Sequence, residues 1–299
     1  MPRARYWLPA LRAAGILAGS AATPHHPGRQ FAGMAYAPPM PLRVVDADGR
    51  WRPPFYYPLR LVDRLEHRFE EDRSRPVTVR LWRDDATAAE DAQGPWLPLG
   101  GDPLGRDLFA RLLVGGRLSL AVSASAAAGA LLLGTLIGAL AGSGGGRLDA
   151  LLMRAADFVL VLPALYVIIV LRAAMPLVLS TGEVFAVMTA VLALAGWPQV
   201  ARGVRAIIRV EASLEYAEAA RALGAGSWRI LLRHLLPATR GFLAVQVTLL
   251  VPAFILAEAT LSFVGFGFAE PTPSWGVMLQ DASQAGVLAG APWIAAPAA

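Results

Sequence analysis

Long apolar runs alternate along the chain with short arginine-bearing ones, and the alternation predicts membrane-spanning helices. Leu118 to Gly142 is 25 residues without a charge, rich in Ala, Gly and Ser. A hydrocarbon core needs about 20 apolar helical residues to cross it, and small residues suit close helix–helix contact inside a bilayer. A polar break runs from Ser143 to Arg154, and apolar character resumes from Phe158 to Leu171 with Pro163 inside it. Proline is tolerated in a span where neighbouring helices re-satisfy the backbone. Arg172 either ends this span or snorkels to the interface while the helix runs on to Leu179. Val184 to Val200 and Phe242 to Ala257 predict two further spans.

The flanking regions differ in kind. Met1 to Ala22 has arginines at 3 and 5 and an apolar stretch interrupted by Arg12. It reads either as a signal peptide or as a shortened first span, and the span suits a topology with the next segment outside. Residues 23–98 are dense in proline and aromatic residues, with arginine and acids intermixed from Arg60 to Asp91. Alternation such as Val77-Thr78-Val79-Arg80-Leu81-Trp82 predicts short strands, so this is an extramembrane insertion of mixed coil and β structure. His25 and His26 are adjacent but lack a further ligand at metal spacing. Near the other end, Ala291 to Ala296 resembles the start of another span, with Trp293 at headgroup level.

Charge fixes the orientation. The stretches 143–154 and 202–240 hold nine arginines, whereas 173–183 and 263–290 hold none. Basic residues concentrate in cytoplasmic loops, so the two arginine-rich stretches face the cytoplasm and residues 23–117 lie outside.

Composition supports this reading and removes several others. The 299 residues are 56% hydrophobic and 16% charged, against roughly 25% charged in ordinary soluble domains. All 27 basic residues are arginine. A phosphate-binding loop of the Walker type needs a lysine to reach the terminal phosphates, so Gly144-Gly145-Gly146 is not a nucleotide cradle. Without cysteine there is no disulfide framework, thiolate metal site or cysteine nucleophile. The net charge of +5 belongs to loops beside apolar spans and calls for no nucleic-acid partner. No carboxylate pair or nucleophile–base constellation points to catalysis, so the chain reads as a non-enzyme.

The cytoplasmic stretch 201–240 exceeds the eight or so residues that most helix–helix connections use. Ser213 is a candidate N-cap with Glu215 in the first turn. Tyr216, Ala219, Ala220 and Leu223 recur at helical spacing and predict an apolar face. Gly224 ends that helix in a left-handed turn. Ser227 then caps a second helix, Trp228 to Leu236, closed by Pro237. Such a hairpin fits either a groove on another protein or the bilayer surface.

Here the residues resemble a family. Glu218-Ala219-Ala220, then Gly224, then Leu236-Pro237 is similar to the EAA loop of permeases in binding-protein-dependent ABC importers. The general pattern has an aliphatic residue where this chain has His234, and the peptide-permease branch often has histidine there. Gly101-Asp102-Pro103-Leu104-Gly105-Arg106-Asp107 and Gly116-Arg117-Leu118-Ser119-Leu120 resemble a signature of that branch, with Gly101 in place of threonine. Gly196-Trp197 with Ala201-Arg202 resembles its approach to the loop. Ala257 to Phe263, Gly265, Gly267 and Pro273-Ser274-Trp275-Gly276 resemble its external end. The resemblance covers about residues 99 to 296 in order.

It implies an all-α polytopic protein of the bacterial inner membrane, with about five to six transmembrane helices of the ABC importer permease type. The domains would be an N-terminal transmembrane segment 1–22, the external insertion 23–98, and the permease domain 99–299 with its coupling loop 211–237. The implied partners are a second homologous permease subunit, two ATPase subunits carrying ATP and Mg, an external solute-binding protein and the lipid bilayer. No cofactor would be bound by this chain. The implied ATPase-coupling residues are Glu218, Ala219, Ala220, Gly224, Trp228, Leu236 and Pro237, and Glu258, Ser262 and Trp275 are candidates for the pathway or external gate. Gln246 reads as helix–helix glue, Asp157 as an i,i+3 partner of Arg154, and Arg106 and Asp107 as cap and anchor of the first clear span. Peptide is the implied cargo. Nickel chelates, glutathione or oligosaccharides would use the same architecture. A secondary transporter would show intramembrane relays and paired broken helices, which the sequence lacks.

Overall fold

The computed structural model describes residues 15, 19, 23–46, 49–79, 94–162, 179–284 and 290–298. The predicted first span apart from residues 15 and 19, the end of the Phe158–Leu171 span and Arg80 to Asp91 lie outside the described residues. Five strands come first: β1 Arg43–Val45, β2 Trp51–Tyr56, β3 Leu59–Asp63, β4 Arg68–Glu71 and β5 Val77–Thr78. The helices follow: α1 Leu108–Gly144, α2 Gly146–Val161, α3 Thr181–Ala212, α4 Glu215–Ala222, α5 Ser227–Ile230, α6 Leu236–Ala238, α7 Arg240–Phe263 and α8 Trp275–Ala282. A π segment, Leu231–Leu235, joins α5 to α6, and a 3₁₀ helix occupies Pro292–Ala298. The chain divides into one unit of residues up to Ser119 together with those from Ser262, and a second unit, Leu120–Leu261.

In the first unit β1, β2 and β5 form an antiparallel sheet in the order β1-β2-β5, and β3 pairs with β4 as a hairpin. The core gathers Phe31, Ala37, Met40, Tyr56 and Leu97. Residues 100–107 fold tightly over the 30–37 segment: Gly101 NH donates to Ala37 O at 2.9 Å, and a Cβ on Gly101 would stand 2.3 Å from Met34 O. Side-chain-free backbone is what allows that approach. The predicted span start at Ala291 is instead the 3₁₀ helix, packing Ala291 and Ile294 with Ala282 and Trp293.

In the second unit three helices set the frame. Among the described residues α1, α3 and α7 are long and apolar enough to cross a membrane. Gly134, Gly138 and Gly142 lie four apart, which puts them on one helical face. A Cβ there would come within 2.5 Å of Val200 Cβ, 2.5 Å of Ala201 O and 2.9 Å of Ile208, so α1 and α3 touch backbone to backbone. Gly196 and Gly203 of α3 instead make room for side chains of α7, the rings of Phe254 and Phe242.

Several boundaries correct the sequence reading. The first span begins at Leu108, ten residues before Leu118, and α3 runs unbroken through Val200 to Ala212. The polar break 143–154 is mostly helix, because Gly145 at φ 59 turns the chain and α2 starts at once. Asp157 pairs with Arg202 rather than Arg154. A three-residue spacing on one helix offered the nearer partner, but α3 brings a better-placed one.

Candidate functional site

The hairpin after α3 is built from two faces. Ala217, Ile230, Leu231 and Leu235 are buried against Val200, Val204 and Ile208 of α3 and Ala139 of α1. This base seats α4 and the α5–α6 run on the ends of the spans. The opposite face is open: Glu218 and Ala219 are exposed, as are Leu223 at 88% and Trp228 at 62%. The predicted apolar face therefore points the other way. Tyr216, Ala219 and Leu223 face outward, Ala220 is partly packed, and Ala217 is the residue that docks inward.

The turn between the helices has a defined hydrogen-bond pattern. Ala225 NH donates to Ala220 O at 3.0 Å and Gly224 NH to Arg221 O at 2.9 Å, with Gly224 at φ 80. Paired bonds of this kind close a helix around a left-handed residue, and glycine is the residue that adopts it without strain. Ser213 is not an N-cap. It sits at the end of α3, where its hydroxyl donates to Val210 O, and Leu214 precedes α4. Ser227 is likewise inside α5, which starts from Gly226. Pro237 does not close the second helix: as the first or second residue of α6 it lacks only an NH that needed no partner. Leu236 and Pro237 are half-buried, and the buried Thr239 passes the chain into α7 with its hydroxyl donating to Leu236 O at 2.7 Å. Tyr216 OH donates to Glu211 at 2.6 Å, and this bond to a carboxylate raises the phenol's pKa.

Asp149 of α2 accepts from Arg205 Nη2 at 2.7 Å and Arg209 Nη2 at 2.5 Å, tying α2 to the last turns of α3. Sequence reasoning missed this clamp because the partners lie 56 and 60 residues apart.

In the first unit an ionic cluster gathers at the start of α1. Asp107 caps the helix, accepting from Phe109 NH at 2.9 Å and Ala110 NH at 3.3 Å, as its position before the apolar run predicts. Its other oxygen meets His25 Nδ1 at 2.9 Å, an unforeseen contact for a histidine set aside as a metal ligand. Asp102 accepts from Arg106 Nε at 2.6 Å and stands 3.4 Å from Arg111 Nε. Glu270 receives both guanidinium nitrogens of Arg106, at 2.5 and 3.0 Å, and Arg111 Nη2 at 2.6 Å. Burial pushes the Glu270 carboxyl up, but the Arg106 bonds and the charges of Arg111 and Arg106 outweigh it and hold it below its usual range. Asp281 is raised, by burial first and by the Glu270 charge next; Asp102 adds to this, and Arg111 and Arg106 oppose it.

The three pathway candidates do not fall into one unit. Glu258 is fully buried in the second. Ser262 and Trp275 belong to the first, where Ser262 Oγ accepts from Phe268 NH at 3.1 Å and Trp275 Nε1 donates to Leu112 O at 3.2 Å.

Residues 134–296 match the family described as binding-protein-dependent transport system inner membrane component. The dipeptide transport system permease protein DppC of Bacillus subtilis (strain 168) is 41% identical over 182 residues, 61% of this chain and 55% of that protein. The oligopeptide permease OppC of the same organism is 39% identical over 61% of this chain and 58% of that protein. The glutathione transport system permease GsiD of Pectobacterium atrosepticum is 37% identical over 64% and 62%. The chain thus spans a little over half the length of the curated relatives it matches.

Proposed function

The chain belongs to the binding-protein-dependent transport system inner membrane components, a multi-pass membrane protein, and from that premise we propose that it is the permease subunit of an ATP-driven peptide importer. The observation that carries this reading is the two-faced hairpin. Its apolar base is fixed to α3, while Glu218, Ala219, Leu223 and Trp228 stand open around the Gly224 turn. An exposed Trp and Leu on a rigid mount are the anchors a protein partner would use, and two ATPase subunits are that partner. The chain itself carries no lysine for nucleotide phosphates, so ATP and Mg belong on the ATPases and this subunit is non-catalytic.

Connectivity makes the hairpin a lever. α4 leaves α3 through Ser213 and Leu214, and α6 enters α7 through Thr239. A push on the hairpin is therefore delivered to two spans at once through a packed base, which transmits strain because protein interiors are stiff. A second homologous permease would complete the pathway, and an external binding protein would deliver the cargo. Peptide is favoured because the relatives are named as dipeptide and oligopeptide permeases, and the glutathione relative favours a modified tripeptide as the second reading.

Gly224→Glu tests the coupling role. A Cβ at Gly224 would meet nothing within 4 Å, so the fold loses only the strain of the left-handed turn, about 1–2 kcal/mol. Peptide uptake by the reconstituted importer should be abolished while membrane insertion is retained. Wild-type uptake in this variant would sink the proposal.

A further inference from the structure

We propose that Arg106 and Arg111 form a receiving site for the terminal carboxylate of the transported peptide, with Glu270 occupying that site as an internal placeholder. This rests on the peptide-importer reading. The site is built from buried charge: the Arg111 side chain is 0% exposed, Arg106 4% and Asp102 2%, whereas Glu270 is 38% exposed. The cluster is therefore reached from the side where Glu270 sits. Arg106 already grips a carboxylate in the two-pronged geometry that guanidinium groups favour.

Arg111 is only partly used. Glu270 engages its Nη2 alone, and Arg111 Nε and Nη1 are buried without a hydrogen bond. Buried donors left unmade are costly. Glu270 is tethered between Ala269 and Pro271 and takes one edge of that guanidinium. A carboxylate free of the chain can satisfy more of it.

Charge balance makes the event an exchange. Two guanidinium groups face Asp102 and Glu270, and Asp281 lies close enough for its carboxyl to feel all four. A further anion would exceed the cations present, so an incoming carboxylate must displace Glu270. Displacement removes the Glu270 tie to the start of α1 and leaves the chain after it held there by Trp275, whose NH meets Ser119 Oγ at 3.4 Å and whose Nε1 donates to Leu112 O. A cargo lacking the carboxylate leaves the placeholder in its seat.

The test is calorimetric binding of dialanine and of dialanine amide to the purified importer assembly without its external binding protein. Dialanine should bind about tenfold or more tightly than the amide, the scale of one charge-assisted hydrogen bond. Glu270→Gln should strengthen dialanine binding and leave the amide unchanged, and Arg111→Gln should remove the preference. Equal binding of both probes, or no gain in Glu270→Gln, would overturn the proposal. Dialanine uptake by the complete wild-type importer separates the two readings. Uptake without carboxylate preference overturns the receiving site alone, and no peptide uptake at all overturns the function beneath it.

Discussion

Glu270 and Asp281 titrate in opposite senses although they share the same two arginines. Glu270 is held below its usual range, so the stability it adds is complete above the ordinary glutamate range and is lost as pH falls through its depressed value. Asp281 is raised, so the folded protein holds that proton more tightly than the unfolded chain. Its contribution is complete below the ordinary aspartate range and is lost as pH rises through the raised value. Asp281→Asn should therefore match or exceed wild type in thermal unfolding at neutral pH, with the difference widening from pH 4 upward. A variant less stable at every pH would contradict that assignment. The sequence showed part of this cluster. An acid directly before an apolar helical run announces a cap, and Asp107 is one. Glu270 lies 164 residues from Arg106, and its isolation in an uncharged stretch was a signal without a partner.

At the scale of elements, helical period and small-residue content were legible, while helix ends were not. Ser213 and Ser227 have cap chemistry, yet α3 continues to Ala212 and α5 starts from Gly226. Packing of Ile208, Ile230 and Leu231 decides where these helices run, and packing outweighs a cap worth about 1 kcal/mol. Gly224 was readable because its backbone conformation depends on the residue itself. The α1–α3 contact makes a sharper prediction. Gly138→Leu places a side chain where Ala201 O stands 2.5 Å from the Cβ position, so the helices must part. Overpacking costs about 1–3 kcal/mol or more. Thermal unfolding of the variant in detergent should fall clearly below wild type, whereas Gly182→Leu, with nothing within 4 Å, should be near neutral.

For the whole molecule, arginine placement carries the topology, because the cost of moving charge across a bilayer acts on loops whatever their local structure. A cysteine at Ala225 in this cysteine-free chain should react with an impermeant thiol reagent only from the cytoplasmic side. External labelling would invert the protein. The family signature was legible because its blocks include positions where backbone geometry restricts the residue, at Gly105 and Gly224. The most direct measurement is co-purification in mild detergent of the chain with its candidate ATPase subunits, beside the Gly224→Glu variant. The ATPase subunits should bind the wild-type chain and be lost from the variant. Equal capture by both would contradict docking through the 211–237 hairpin.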